Sequence, residues 1–195
     1  MPNESEGKRV PFRSMYVALL RGVNVGGNRT VSMATLKQIL ESIGLQDVRT
    51  YINSGNVIFT APRSKATSLA QRIEAAIVKE FGHPIRVLVL SRNDLAKIVG
   101  GLPATWVNDG QQRCDVMFLF SEVDRPDVVG ELPVNASVED VRYVRGAVFW
   151  RIDRKNVGRS RMSRIIGTKV YKGLTARNAN TVRKLLELMD GDSAS

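Results

Sequence analysis

Ten residues between Arg21 and Thr30, Arg21-Gly22-Val23-Asn24-Val25-Gly26-Gly27-Asn28-Arg29-Thr30, hold three glycines and two arginines. Glycines let backbone amides approach a ligand that side chains would hold away, and arginine adds a permanent planar charge with five donors. That chemistry suits an anion. A second polar stretch, Asn53-Ser54-Gly55-Asn56, offers amide and hydroxyl groups, and a third lies between Lys169 and Asn178. The candidate ligand-binding residues are Arg21, Gly22, Asn24, Gly26, Gly27, Asn53, Ser54, Asn56, Lys169, Tyr171, Thr175, Arg177 and Asn178. Tyr51 and Tyr171 are the available proton donors, and no side chain stands out as a general base.

Familiar reaction chemistries are excluded one by one. Gly22 and Gly27 have the GxxxxG spacing of a P-loop, but Asn28-Arg29 stands where Lys and Ser/Thr are needed to reach phosphate and Mg²⁺. The GxGxxG dinucleotide fingerprint and the GxSxG nucleophile elbow are absent. One cysteine, Cys114, and one histidine, His83, cannot form an internal disulfide or an ordinary Cys/His metal cluster. Cys114 begins an apolar strand and reads as a core residue, and His83 as a loop residue before a strand. Neither a cofactor nor a metal is expected.

The net charge of +10 is unevenly spread. Residues 1–100 carry 14 basic and 7 acidic residues, residues 101–141 carry 2 and 8, and residues 142–184 carry 13 and 1. Such a segment is either a solvated basic surface or an electrostatic footprint for nucleic acid or another polyanion. No run of about 20 apolar residues suggests a membrane span, and the start of the chain lacks the apolar core of a secretory signal. The expectation is a cytoplasmic protein with no membrane partner.

Elements that position these groups follow from periodicity. Ser14 to Leu20 reads as a buried strand. Ser32 then caps a helix with Met33, Leu36, Ile39, Leu40 and Ile43 on one face. Asp47 to Asn53 and Asn56 to Thr60 form a hairpin about Ser54-Gly55, a helix follows from about Ser64, and Ile85 to Leu90 is the fourth strand. Ser91 and Asp94 begin a short helix ending at Gly100-Gly101. The order strand, helix, strand, strand, helix, strand is ferredoxin-like.

The second half repeats it: Cys114 to Phe120 a strand, Pro126 to Leu132 a short helix, and a hairpin of 138–144 and 147–153 turned at Arg145-Gly146. Next come a basic helix packing through Met162, Ile165 and Ile166, a closing strand Thr168 to Tyr171, and a last helix Ala176 to Met189. Thr175 would cap that helix, leaving Arg177 in a first turn where the helix dipole disfavours a cation by about 0.3 to 1 kcal/mol. A bound anion would remove that conflict. The fold class is α+β: two ferredoxin-like (alpha-beta plait) halves with antiparallel sheets and an extra C-terminal helix. The divisions are a disordered tail at 1–13, halves at 14–104 and 105–190, and a short tail at 191–195. In that topology strands one and two run the same way, so the glycine loop and the hairpin turn converge.

Three stretches, Met15 to Gly27, Thr50 to Val57, and Gly167-Thr168-Lys169-Val170-Tyr171 with Thr175-Ala176-Arg177-Asn178, resemble the bacterial domain of unknown function 1697 family. The resemblance spans nearly the whole chain. It implies two alpha-beta plait halves in a soluble bacterial protein, with the loop, the turn and the third stretch belonging to one family pattern, and it implies no activity. The functional expectation is a protein that binds a phosphate-bearing or polyanionic ligand, nucleic acid included. The alternative is an enzyme or sensor acting on a small anionic metabolite, with Arg21 and Arg177 as anion clamps in one cleft.

Overall fold

The continuous apolar run Tyr16 to Leu20 is buried on both sides, as a central strand covered on two faces requires. We describe residues 13–24 and 30–191 from a computed structural model. The elements are β1 (Arg13–Leu20), α1 (Met33–Ser42), β2 (Gln46–Tyr51), β3 (Asn56–Pro62), α2 (Ala66–Phe81), β4 (Val87–Ser91) and α3 (Arg92–Gly101) in the first half. The second half holds β5 (Gln112–Leu119), β6 (Glu139–Val144), β7 (Ala147–Asp153), α4 (Lys169–Lys172), β8 (Leu174–Asn178) and α5 (Ala179–Gly191). Its remaining helical pieces are 3₁₀ turns, at Pro126–Glu131, Arg154–Arg159 and Met162–Ile165.

Both halves are ferredoxin-like. The strand orders are β2-β3-β1-β4 and β6-β7-β5-β8, every neighbouring pair antiparallel. Even the terminal hydrogen bonds correspond. Leu20 N donates to Gly55 O and Arg21 N to Arg86 O, while Leu119 N donates to Gly146 O and Phe120 N to Gly173 O. Arg21 and Phe120 thus hold equivalent places.

Alternation along the strands builds three apolar layers. Tyr16, Ala18 and Leu20 of β1 face α1 and α2, whereas Val17 and Leu19 face the other way, into a cluster with Leu95 and Ile98 of α3, Val182 and Leu185 of α5, and Cys114, Val116 and Phe118 of β5. The two sheets therefore share a middle core. Met117 and Leu119 face outward, under the 3₁₀ turns and α4. Ser32 and Ser91 cap α1 and α3 as expected, each accepting a backbone N–H three residues on. No helix among the described residues is long and apolar enough to cross a membrane.

Several expectations are corrected near the end of the chain. Thr168 to Tyr171 is not a strand: Thr168 accepts from Tyr171 N and so caps the single turn of α4, which Gly173 ends. The closing strand is β8, so Thr175 and Arg177 lie in a sheet and Thr175 caps nothing. Asn178 caps α5 instead, accepting from Thr181 N at 2.8 Å. The helix-dipole argument for an anion at Arg177 falls with that change. Polar residues fill the inward positions of β8, which hid its alternation. The basic helix is a pair of 3₁₀ turns, and Ile166 is 68% exposed rather than packed. Arg13 belongs to β1 and Gly191 to α5; the tail expectations for 1–12 and 192–195 lie outside the described residues.

Candidate functional site

The C-terminal end of β1 meets β8 through an exchange of arginines. Arg21, from the first half, donates through Nε to Leu174 O and through Nη2 to Tyr171 O, both at 2.9 Å. Arg177, from the second half, donates through Nη2 to Leu20 O (2.8 Å) and Gly55 O (3.2 Å), and through Nε to Asn56 Oδ1. Its Nη1 donates to Thr175 Oγ1 and Ala176 O. Arg177 is 8% exposed, and all three of its nitrogens are engaged within the chain.

None of those acceptors is charged. A buried guanidinium is usually matched by a carboxylate, because desolvating an unpaired cation costs several kcal/mol. Here burial alone pushes the Arg177 pKa down to about 10. Arg21 likewise has only carbonyl acceptors among the described residues, and its guanidinium carbon stands 5.1 Å from the centre of the Tyr171 ring. Between the two arginines is a cleft of about 340 Å³, lined by Arg21, Gly22, Val23, Ser54, Tyr171, Leu174, Thr175, Ala176 and Arg177. No carboxylate among the described residues lines it.

Local sequence explains this geometry. Gly22 has φ +66°, and a side chain added there would meet nothing within 4 Å, so the backbone opens towards the cleft. Gly55 has φ +72°, and a Cβ there would stand 2.5 Å from Val23 Cγ2 and 2.8 Å from Leu20 Cβ. Only glycine lets the hairpin lie against the end of β1. Asn24, itself at φ 55°, accepts from Val31 N and donates to Val31 O and Asn53 O. It closes the base of the glycine loop and ties it to the hairpin turn. The described base of the glycine loop meets the hairpin turn, as the topology predicts.

Six of the candidate residues therefore line one cleft: Arg21, Gly22, Ser54, Tyr171, Thr175 and Arg177. Asn24, Asn53, Asn56 and Asn178 instead hold the frame around it; Asn56 is fully buried and donates to Tyr51 O and Ser54 Oγ. Lys169 is exposed on α4 and does not line the cleft. Gly26 and Gly27 lie outside the described residues. Leu174 and Ala176 were missed, because their place on the outer side of an edge strand shows only once 174–178 is read with a two-residue period.

Other reactive groups sit elsewhere. Cys114 is buried in the middle core, where desolvation pushes its thiol up to about 11. His83 Nδ1 lies 2.8 Å from Phe81 O in the connection between α2 and β4. Part of the basic segment is engaged within the chain. Arg151 pairs with Asp140 and Asp153, Arg183 donates to Trp106 O and Pro103 O, and Arg142 stacks on Trp106. Lys155, Arg161, Arg164, Lys169 and Lys172 are exposed.

Comparison with curated proteins gives no match. A solved structure described as that of a conserved bacterial protein from Streptococcus pneumoniae is similar throughout, with a TM-score of 0.77 and 28% identity over 91% of this chain and 99% of the other. That likeness extends over both halves. A family model described as a protein of unknown function, DUF1697, matches residues 14–150, which include the Arg21, Ser54 and Gly55 side of the cleft and stop before β8. That match covers more than half of the chain, and the chain belongs to the DUF1697 family of proteins of unknown function.

Proposed function

We propose that this protein binds a phosphate- or carboxylate-bearing ligand in the cleft between its two halves. One observation carries the reading: two arginines, one from each half, wall the same cleft, and neither has a carboxylate among its described partners. An anion entering there supplies the missing counter-charge. Its interaction with Arg177 is weakly screened because that guanidinium is buried. Gly22 and the hydroxyls of Ser54, Tyr171 and Thr175 surround the same space with hydrogen-bonding groups.

The lining favours holding over transforming. Among the described residues it contains no carboxylate, histidine or cysteine to move a proton, and Tyr171 is its one phenol. The enzyme alternative therefore has less support than a binding or sensing role. For nucleic acid, the exposed Lys155, Arg161, Arg164, Lys169 and Lys172 favour contact with a phosphate backbone. Base stacking across a whole sheet face, as plait proteins use, has no such surface among the described residues: apolar clusters cover most of each face, and the outer face of the second sheet opens at a cavity beside Trp150.

Ala176 offers a clean test, since its side chain is exposed and lines the cleft while making no hydrogen bond. Calorimetric titration with pyrophosphate, and anisotropy with labelled single-stranded RNA across a salt series, would compare wild type with Ala176→Asp and Ala176→Asn. The aspartate should weaken anion binding at least tenfold and the near-isosteric asparagine less than threefold. Equal effects of the two variants would mean that charge in this cleft does not govern binding. A steep loss of RNA affinity with salt would select the nucleic-acid form of the reading.

A further inference from the structure

The anion cleft is not closed at its second-half wall. Tyr171, Leu174 and Ala176 line it and also line a neighbouring cavity of about 410 Å³, so the space continues round the edge of β8 onto the outer face of the second sheet. There the character changes. Met117, Trp150, Met162, Ile165 and Ile166 give mostly apolar walls. The only charged groups lining it among the described residues, Arg113 and Asp115, pair with each other at 2.7 Å.

Two features show that this cavity is built and open. Glu139, 4% exposed, accepts from Trp150 Nε1 at 3.1 Å and from Ser160 Oγ, which fixes the indole and the turn that faces it. Meanwhile Ile166 and Val157, two of the few large apolar side chains exposed by the described residues, at 68% and 42%, both lie on its rim. Exposed apolar side chains around a fixed aromatic wall mark an apolar binding surface. Flat aromatic guests suit two thioethers, an indole and a phenol better than a flexible chain does.

We propose that the ligand has two parts: an anionic group seated between Arg21 and Arg177, and an uncharged aromatic body that passes the edge of β8 and lies in the second cavity against Trp150, Met162 and Tyr171. This rests on the anion-binding reading and narrows it to small aromatic phosphates or carboxylates. Tyr171 is the junction, with Arg21 over its ring on the anion side. Specificity then divides by region, charge being read by the cleft and ring size by the cavity.

Titration calorimetry with inorganic phosphate, 1-naphthyl phosphate and octyl phosphate tests this on the full chain. We expect 1-naphthyl phosphate to bind at least tenfold more tightly than inorganic phosphate, and octyl phosphate to gain less than threefold. Ser163 is exposed and lines only the second cavity. Ser163→Phe should therefore abolish the naphthyl gain and leave phosphate affinity unchanged, with Trp150 fluorescence responding to the naphthyl ligand in wild type alone. Phosphate binding without a naphthyl gain, or a gain that survives Ser163→Phe, would overturn the two-part ligand and leave the anion cleft standing. An equal gain for octyl phosphate would overturn its aromatic character. Failure of both phosphate and 1-naphthyl phosphate to bind would remove the anion reading itself.

Discussion

The two halves share a strand order and a set of terminal hydrogen bonds, yet they cover their outer sheet faces differently. In the first half α1 and α2 lie across that face, with Leu36, Leu40, Leu69, Ile73 and Ile77 fully or almost fully buried. In the second, short 3₁₀ turns and one turn of α4 do the covering, and they leave the apolar cavity beside Trp150. The equivalent positions Arg21 and Phe120 diverge in the same way. Phe120 is an apolar filler under Arg86, whereas Arg21 reaches across to the backbone of the other half. A repeated frame thus becomes asymmetric where a ligand would bind. Long helices give a sealed layer; short turns give room.

The difference between the halves can be pressed hardest at Arg177. Replacing it with Met leaves the buried Asn56 Oδ1 without that donor, at about 1 to 3 kcal/mol, and removes one hydrogen bond each from Leu20 O, Gly55 O and Ala176 O, at about 0.5 to 1.5 kcal/mol apiece, since Gly55 O keeps Leu20 N and Leu20 O keeps Thr175 Oγ1. A loss of about 4 to 6 kcal/mol is expected in urea denaturation, against about 1 to 2 kcal/mol for Arg21→Met, whose carbonyl partners lie where water can replace the donors. A variant as stable as wild type would show that removing the charge's desolvation cost offsets the lost bonds.

Equivalent hairpin glycines offer a sharper contrast between the halves. Gly55→Ala drives a Cβ to 2.5 Å from Val23 Cγ2 at φ +72°, while Gly146→Ala at φ +88° meets Ile98 Cδ1 at 3.3 Å. Left-handed strain of about 1 to 2 kcal/mol applies to both, and overpacking adds about 1 to 3 kcal/mol at Gly55 alone. Denaturation midpoints that fall equally would show the two turns to be interchangeable. The smallest effect belongs to Ile52, a β-branched residue at φ 50° and 50% exposed in the first-half turn. Ile52→Asn should raise stability by about 1 kcal/mol, because asparagine tolerates that conformation. An unchanged or lower midpoint would mean that Ile52 makes a contact worth its strain.

Local rules made the first half largely legible. A two-sided apolar strand, Ser32 and Ser91 at helix starts, and glycine at the hairpin gave its elements with small shifts at the ends, such as Val87 rather than Ile85 opening β4. The glycine loop and the hairpin turn were found from composition alone, and their convergence followed from strand direction. The segment from 154 to 178 misled because its apolar residues are few and its inward strand positions are Thr175 and Arg177. Periodicity detects burial through hydrophobicity, and here burial is satisfied by hydrogen bonds instead.

By itself, then, the sequence determined the plait order of both halves, the extra helix, the positive charge and the three polar stretches, since these depend on local period, turn chemistry and counting. Only the tertiary structure decided that Arg177 sits on an edge strand, that its donors and those of Arg21 cross between the halves, and that the cleft they wall opens into an apolar cavity. Those facts join residues about 120 to 157 positions apart. Nothing local encodes such a meeting; it follows from two sheets closing on one middle core.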